Sequence, residues 1–287
     1  MSLLRFVRLA LVSLTLGGLA AFAAEPFPAP FVVEHQVFDG SLGGAPVAGA
    51  PVKDTYGGSF LVSERADGNR TIVDFARREL TEVRTGDGTY WSISFGRFAD
   101  LKRRLREAGS AGEVAAPPAR SLLARPSIHV EEVREEGRSA VSHGLTVAGA
   151  QPRRLRAFVE GGASLEAWVN PEAPRLTAEG AAAIADFERT VLGAGDGTVG
   201  AADLLDAIRK RTGDALIVRT RRAVAVGSGD GPDGPAVEDV VSRAEPVAAL
   251  PASLVAVPEG LRRVPAPLEI VVSWAEDEAA LRLRGRR

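Results

Sequence analysis

Three histidines, His35, His129 and His143, stand in the chain, and none has a second histidine two or four positions away. HExxH is absent, and with no cysteine every soft thiolate metal site is absent too. All three fall in segments that read as strands, where ordinary sheet positions account for them. Glu131-Glu132 and Glu135-Glu136 could supply a general acid and base only if paired. Adjacent strand residues point to opposite faces, so these carboxylates read as solvated. Gly40-Ser41-Leu42-Gly43 lacks the preceding glycine of a nucleophile elbow, and Gly227–Gly234 lacks the Lys-Ser/Thr of a phosphate loop. In GAGDGTVGAADLL (Gly193–Leu205), Asp196 and Asp203 have the spacing of the second half of a calcium loop. The first and third ligand positions would fall on Leu192 and Ala194, which have no side-chain oxygen. Asp203 is better read as an acid at a helix N-terminus. No catalytic residue, metal ligand or cofactor site is expected, and the chain reads as a non-enzyme.

The elements around these residues are more regular. Phe31–Phe38 and Ser59–Ser63 read as strands, with a Gly/Ala/Pro loop over Gly40–Pro51 and a turn at Ala66–Asn69. In TIVDFARRELTEVRTGDGTYWSISF (Thr71–Phe95), Thr71, Val73 and Phe75 share one face against Ile72 and Asp74. Thr81, Val83 and Thr85 alternate with Leu80, Glu82 and Arg84. After the Gly86–Gly88 turn, Trp91, Ile93 and Phe95 alternate with Tyr90, Ser92 and Ser94. This period of two predicts an antiparallel meander with an apolar face. Phe98, Leu101 and Leu105 then recur at helical spacing and stop at Gly109.

Beyond a small, Pro-rich stretch (Ala108–Pro126) the plan repeats. Ser127–Val133, Ala140–Val147, Arg153–Glu160 and Ser164–Val169 read as strands. A helix follows over Leu176–Leu192, capped by Thr177, weakened by Gly180 and apolar at Ile184, Phe187 and Val191. A second helix, Ala201–Arg211, buries Leu204, Leu205 and Ile208 and stops at Gly213. Ala215–Val226 and Val237–Glu245 read as a hairpin about the Gly227–Pro235 loop, with a last hairpin in Leu268–Trp274 and Ala279–Arg284. Strands then a helix, twice, with strands after, predicts α+β: a large antiparallel, unclosed β-barrel-like sheet with helices packed on its concave face.

Composition narrows the setting. Arg5 and Arg8, the apolar run Leu9–Leu16 and Ala21-Phe22-Ala23 form an export signal over residues 1–23. The apolar run is shorter than a bilayer span needs. Without those two arginines, 33 basic residues face 37 acidic ones, a formal charge of −4 that favours neither nucleic acid nor an anionic membrane. Without cysteine, the exported protein is not a lipoprotein, and its stability must come from its core. The organisation expected is a signal (1–23), one α+β domain (24–267, internal loop 109–126) and a C-terminal hairpin with a basic end (268–287). That end carries Arg282, Arg284, Arg286 and Arg287.

Thr71–Phe75 leading through Thr89-Tyr90-Trp91 to Phe95-Gly96-Arg97-Phe98 carries a family likeness. So do Leu165–Asn170 before a helix and Leu250–Leu254 with Val257–Gly260. Together these stretches resemble an uncharacterised family of exported bacterial proteins similar to LolA, the periplasmic lipoprotein carrier. Aromatic residues would be expected where Val255 and Leu261 stand. The resemblance implies an unclosed barrel with helices as a lid over an apolar cavity, and a lipid, acyl chain or lipidated protein as ligand in the periplasm. The side chains expected to line that cavity are Val73, Phe75, Val83, Trp91, Ile93, Phe95, Phe98, Leu101 and Trp168. The alternative is an envelope adaptor that acts by protein–protein contact and has no cavity. Ligand identity and oligomeric state are not readable.

Overall fold

The computed structural model describes residues 25–40, 45–110, 127–133, 141–148, 152–159, 164–171, 173–174, 176–192, 199–213, 215–223 and 236–266. The expected export signal, the loops expected after residue 110 and over Gly227–Pro235, and the hairpin expected after residue 267 lie outside them. The N-terminal half strings together β1 (Phe27–Asp39), β2 (Val47–Ala48), β3 (Val52–Gly58), β4 (Phe60–Arg65), β5 (Arg70–Asp74), β6 (Glu79–Arg84) and β7 (Thr89–Ser94). These run into α1 (Phe95–Ser110). The second half contains β8 (His129–Val133), a small hairpin of β9 (Val141–Ser142) and β10 (Leu145–Thr146), β11 (Arg153–Phe158) and β12 (Ser164–Asn170). Then come α2 (Ala178–Phe187), continued by a π-helical turn (Glu188–Leu192), α3 (Ala201–Thr212), β13 (Leu216–Ala223), β14 (Ala236–Pro246), α4 (Ala252–Val255) and β15 (Arg262–Arg263).

The fold is α+β. Among the described residues one large sheet runs in the order β15-β7-β6-β5-β4-β3-β1-β14-β13-β12-β11-β8, antiparallel except where β15 joins β7. It does not close. β1 unites the halves by pairing with β3 on one side and β14 on the other; opposite Glu34/His35 the register skips Ser242, a bulge in β14.

α1, α2 and α3 cover one face. The π-helical turn buries Val191 against the β5–β7 meander, and α3 buries Leu204 and Ile208 against Leu155, Leu165 and Val169. Thr177 caps α2 by accepting from the Gly180 amide (2.9 Å), and Asp203 accepts the Gly200 amide (2.9 Å) at the start of α3. Asp203 is thus the N-terminal acid that its position suggested. The single-turn α4 lies on the opposite face. There Leu250, Leu254, Val255, Val257 and Leu261 cover Val62, Ile72 and Val83. No helix among the described residues is long and apolar enough to cross a membrane.

One strand went unread in the sequence, and one reading needs correcting. Val52–Gly58 is a full strand, hidden in VKDTYGG by lysine, aspartate and a glycine pair that carry weak strand propensity. Ala140–Val147 does not run on as one strand. His143 (φ 50°) and Gly144 (φ 82°) adopt the left-handed conformation that a two-residue hairpin turn requires.

Candidate functional site

Strand register builds two parallel rows of side chains on the face under the helices. The apolar row runs Phe31, Tyr56, Leu61, Val73, Leu80, Ile93, each opposite the next across β1, β3, β4, β5, β6 and β7. Two residues along each strand, the adjacent row runs Val33, Asp54, Ser63, Thr71, Glu82, Trp91. The helix-covered face is therefore amphipathic in cross-section, apolar along one line and polar along the next.

The polar row holds two charge clusters. Glu82 is only 5% exposed and accepts hydrogen bonds from Arg65 (2.8 Å) and from the Thr71 hydroxyl (2.6 Å). His35 lies between two carboxylates, its Nδ1 at 2.8 Å from Asp239 and its Nε2 at 3.5 Å from Asp54. Burial pulls the His35 pKa down, but the hydrogen bonds and charges of Asp239 and Asp54 outweigh it and raise the value from 6.5 to about 10. Tyr56, stacked on Phe31 with ring centroids 4.6 Å apart, is likewise raised, first by burial and then by the charge of Asp54.

A folded-state pKa above the unfolded one makes the imidazolium stabilising. Its contribution is complete below about pH 6.5 and is lost as pH climbs to about 10. Urea midpoints measured from pH 6 to pH 10 should fall across that window, and in His35→Gln the fall should be much shallower. An equal slope in both proteins would remove His35 from the explanation.

Two buried polar atoms of the row make no hydrogen bond among the described residues: the Trp91 indole Nε1 and Asp54 Oδ1. Trp91 is 1% exposed and sits at the end of the row, beside Glu82 and beneath the start of α1. Lys102 of α1, 3% exposed, donates from Nζ to the Val191 carbonyl (3.3 Å) in the π-helical turn. Glu188 of that turn takes a bidentate pair of bonds from Arg209 of α3, at 2.6 and 2.8 Å. The helical layer is thus tied together by charged side chains above an apolar floor.

The nine side chains expected to line a cavity divide among three places. Val73, Trp91, Ile93, Phe95 and Phe98 form one cluster with Leu61, Leu80, Phe187 and Val191, and Phe75 and Leu101 pack against it. These seven lie together, but packed closely: Phe95 is 1% and Phe98 0% exposed. Val83 faces the other way, into the layer under α4. Trp168 also faces away from α3, packed with Phe38, Val147 and Val240 between the guanidinium groups of Arg154 and Arg219, 5.2 and 4.1 Å from its ring centre. The two tryptophans therefore do not flank one opening. On the α4 side lies an open groove of about 470 Å³, lined by Phe60, Ile72, Asp74, Arg77, Val255 and Val257 among others.

Asp54 and Asp239 were not singled out from sequence, and His35 was read there as an ordinary sheet position. The charged pair Asp54–His35 depends on β3, which the composition conceals. Asp239 comes from a strand about two hundred residues further along the chain.

No family model matches the chain, and no curated protein does. Among solved structures, an uncharacterised conserved protein from Thermus thermophilus aligns at a TM-score of 0.38 and 10% identity, over 84% of this chain and 93% of that one. A LolA superfamily protein from Nitrosomonas europaea aligns at a TM-score of 0.27 and 11% identity, over 80% and 90%. PNGF-II aligns at 0.34 and 8%, but over 33% of its own length, so this chain spans about a third of it. All three likenesses are distant.

Proposed function

We propose that this is an exported, non-enzymatic binding protein for an amphiphile, whether a lipid, an acyl chain or the lipid group of a lipidated protein, taken up between α1 and the sheet. The observation that carries the reading is the buried Trp91 indole N–H, which has no acceptor among the described residues and lies where the polar row meets the apolar one. Buried polar groups are paired as a rule, and leaving one unpaired costs about 1–3 kcal/mol. An ester, amide or headgroup oxygen would satisfy it while the acyl chain lay along Leu61, Val73, Leu80 and Ile93. Phe95 and Phe98 occupy that space, so uptake requires α1 to lift and Lys102 to release the Val191 carbonyl. Glu82 and His35 are each engaged by neighbours, which favours structural roles for both. The export signal would place this binding in the cell envelope.

A nitrogen-15 spectrum of the indole groups tests this. Only Trp91, Trp168 and Trp274 contribute, and Trp91→Phe assigns the signal of interest. Lysophospholipid added below its critical micelle concentration should shift the Trp91 resonance downfield as it gains an acceptor and leave Trp168 in place. No movement of Trp91 with any single-chain amphiphile would sink the proposal. The packing of Phe95 and Phe98 favours a second reading, an adaptor that binds protein and holds no ligand.

A further inference from the structure

The groove on the α4 side has a fixed apolar wall and an unbalanced charge. Its floor is Ile72, Thr81 and Ser92, which stand opposite one another across β5, β6 and β7. Its wall is Val255 and Val257, and Arg70 holds that wall by donating from Nη2 to the Ala256 carbonyl between them (2.5 Å). Leu250 and Leu254 seat the same segment on the cluster of Val62, Ile72 and Val83. In the next row of side chains Phe60 stands opposite Asp74, and Asp74 opposite Glu79. Two carboxylates placed directly across a strand pair repel each other. Arg77 answers Asp74 alone. Its amide donates to Asp74 Oδ1 (2.9 Å), and its guanidinium, on a side chain 81% exposed, lies 3.7 Å from Oδ2. Glu79 is half-buried and makes no hydrogen bond or ion pair among the described residues. The groove therefore carries one negative charge without a counter-charge, beside an aromatic ring and an aliphatic wall.

We propose that this groove is a second binding site, and that its ligand is a small organic cation with an apolar body. The ammonium group would lie between Asp74 and Glu79 and relieve their repulsion, within reach of the Phe60 ring. The body would rest on Ile72 against Val255 and Val257. The volume of about 470 Å³ falls in the range of small-molecule pockets. A protein partner, which covers about 800 Å² on each side, would need far more of this face than one groove. The sheet separates the groove from the volume under α1, so this site stands or falls independently of amphiphile uptake.

Phenethylammonium titrated into the nitrogen-15-labelled chain tests the assignment. The amide signals of Ile72, Asp74, Glu79, Thr81 and Ser92 should shift and saturate, while those of α1 stay in place. Glu79→Gln keeps the shape of the side chain and removes its charge, and should weaken binding by about fivefold or more. Phenethyl alcohol, the neutral analogue, should bind the native chain more weakly by a similar factor. Equal affinity for the amine and the alcohol, or equal affinity in the native chain and Glu79→Gln, would overturn the proposal. So would the absence of any saturable shift at these amides. Shifts confined to Trp91 and α1 would overturn it as well, by placing the cation on the other face of the sheet.

Discussion

Phe98→Ala should cost about 3–5 kcal/mol of unfolding free energy, the range for deleting a fully buried aromatic ring. The ring is 0% exposed and packs where the first turns of α1 meet Trp91, Phe95 and Val191. No neighbour can close the gap without shifting either α1 or the π-helical turn, because Lys102 ties the two together. Urea unfolding followed by far-ultraviolet circular dichroism measures the loss. A cost below about 1 kcal/mol, the level of a surface change, would show that α1 is not anchored by this ring. If the variant remains folded, the vacated volume should also raise its uptake of small apolar probes, since an apolar cavity stays dry and accepts them.

The second large effect runs against helix propensity. Gly180 stands in the first turn of α2, where alanine would ordinarily stabilise by about 1 kcal/mol. Here a Cβ atom would lie 2.5 Å from the Pro26 carbonyl oxygen and 3.0 Å from the Phe27 ring. The same carbonyl accepts the Thr177 hydroxyl at 2.7 Å, so the helix cap and the start of β1 are clamped together through one peptide group. Gly180→Ala is therefore expected to destabilise by about 1–3 kcal/mol, the usual cost of overpacking. A gain in melting temperature would show that β1 yields freely there.

Gly180 also shows what the sequence could and could not reveal. Its presence in a helix was legible as a local weakness, but its reason is a strand about one hundred and fifty residues earlier. The meander from Arg70 to Ser94 and the helix after it were legible because the period changes sharply from two to 3.6 at Phe95. β3 was not, since its helix-side face carries Asp54, which pairs with His35 of the neighbouring strand, and its buried positions are Thr55 and Gly57, neither of them apolar side chains. Val83 was placed with Val73 and Trp91 because all three are apolar, yet it lies on the other face. Both faces of β6 are covered, so Leu80 and Val83 are each 0% exposed and alternation no longer separates inside from outside. Trp168 misled for a related reason: arginines on both flanking strands shield its ring, so a buried tryptophan lies on the face away from α3. The polar row beneath α1 needed the register of six strands, which no local pattern carries.

Uptake of an amphiphile under α1 is tested most directly by native mass spectrometry of the chain purified without detergent from the cells that make it. The expected spectrum has a second peak, heavier by the mass of one lipid or acyl chain, that disappears after organic extraction and returns when the extract is added back to native protein. A single mass that does not change when lysophospholipid is supplied in excess would contradict amphiphile binding and leave the protein-binding adaptor as the reading to pursue.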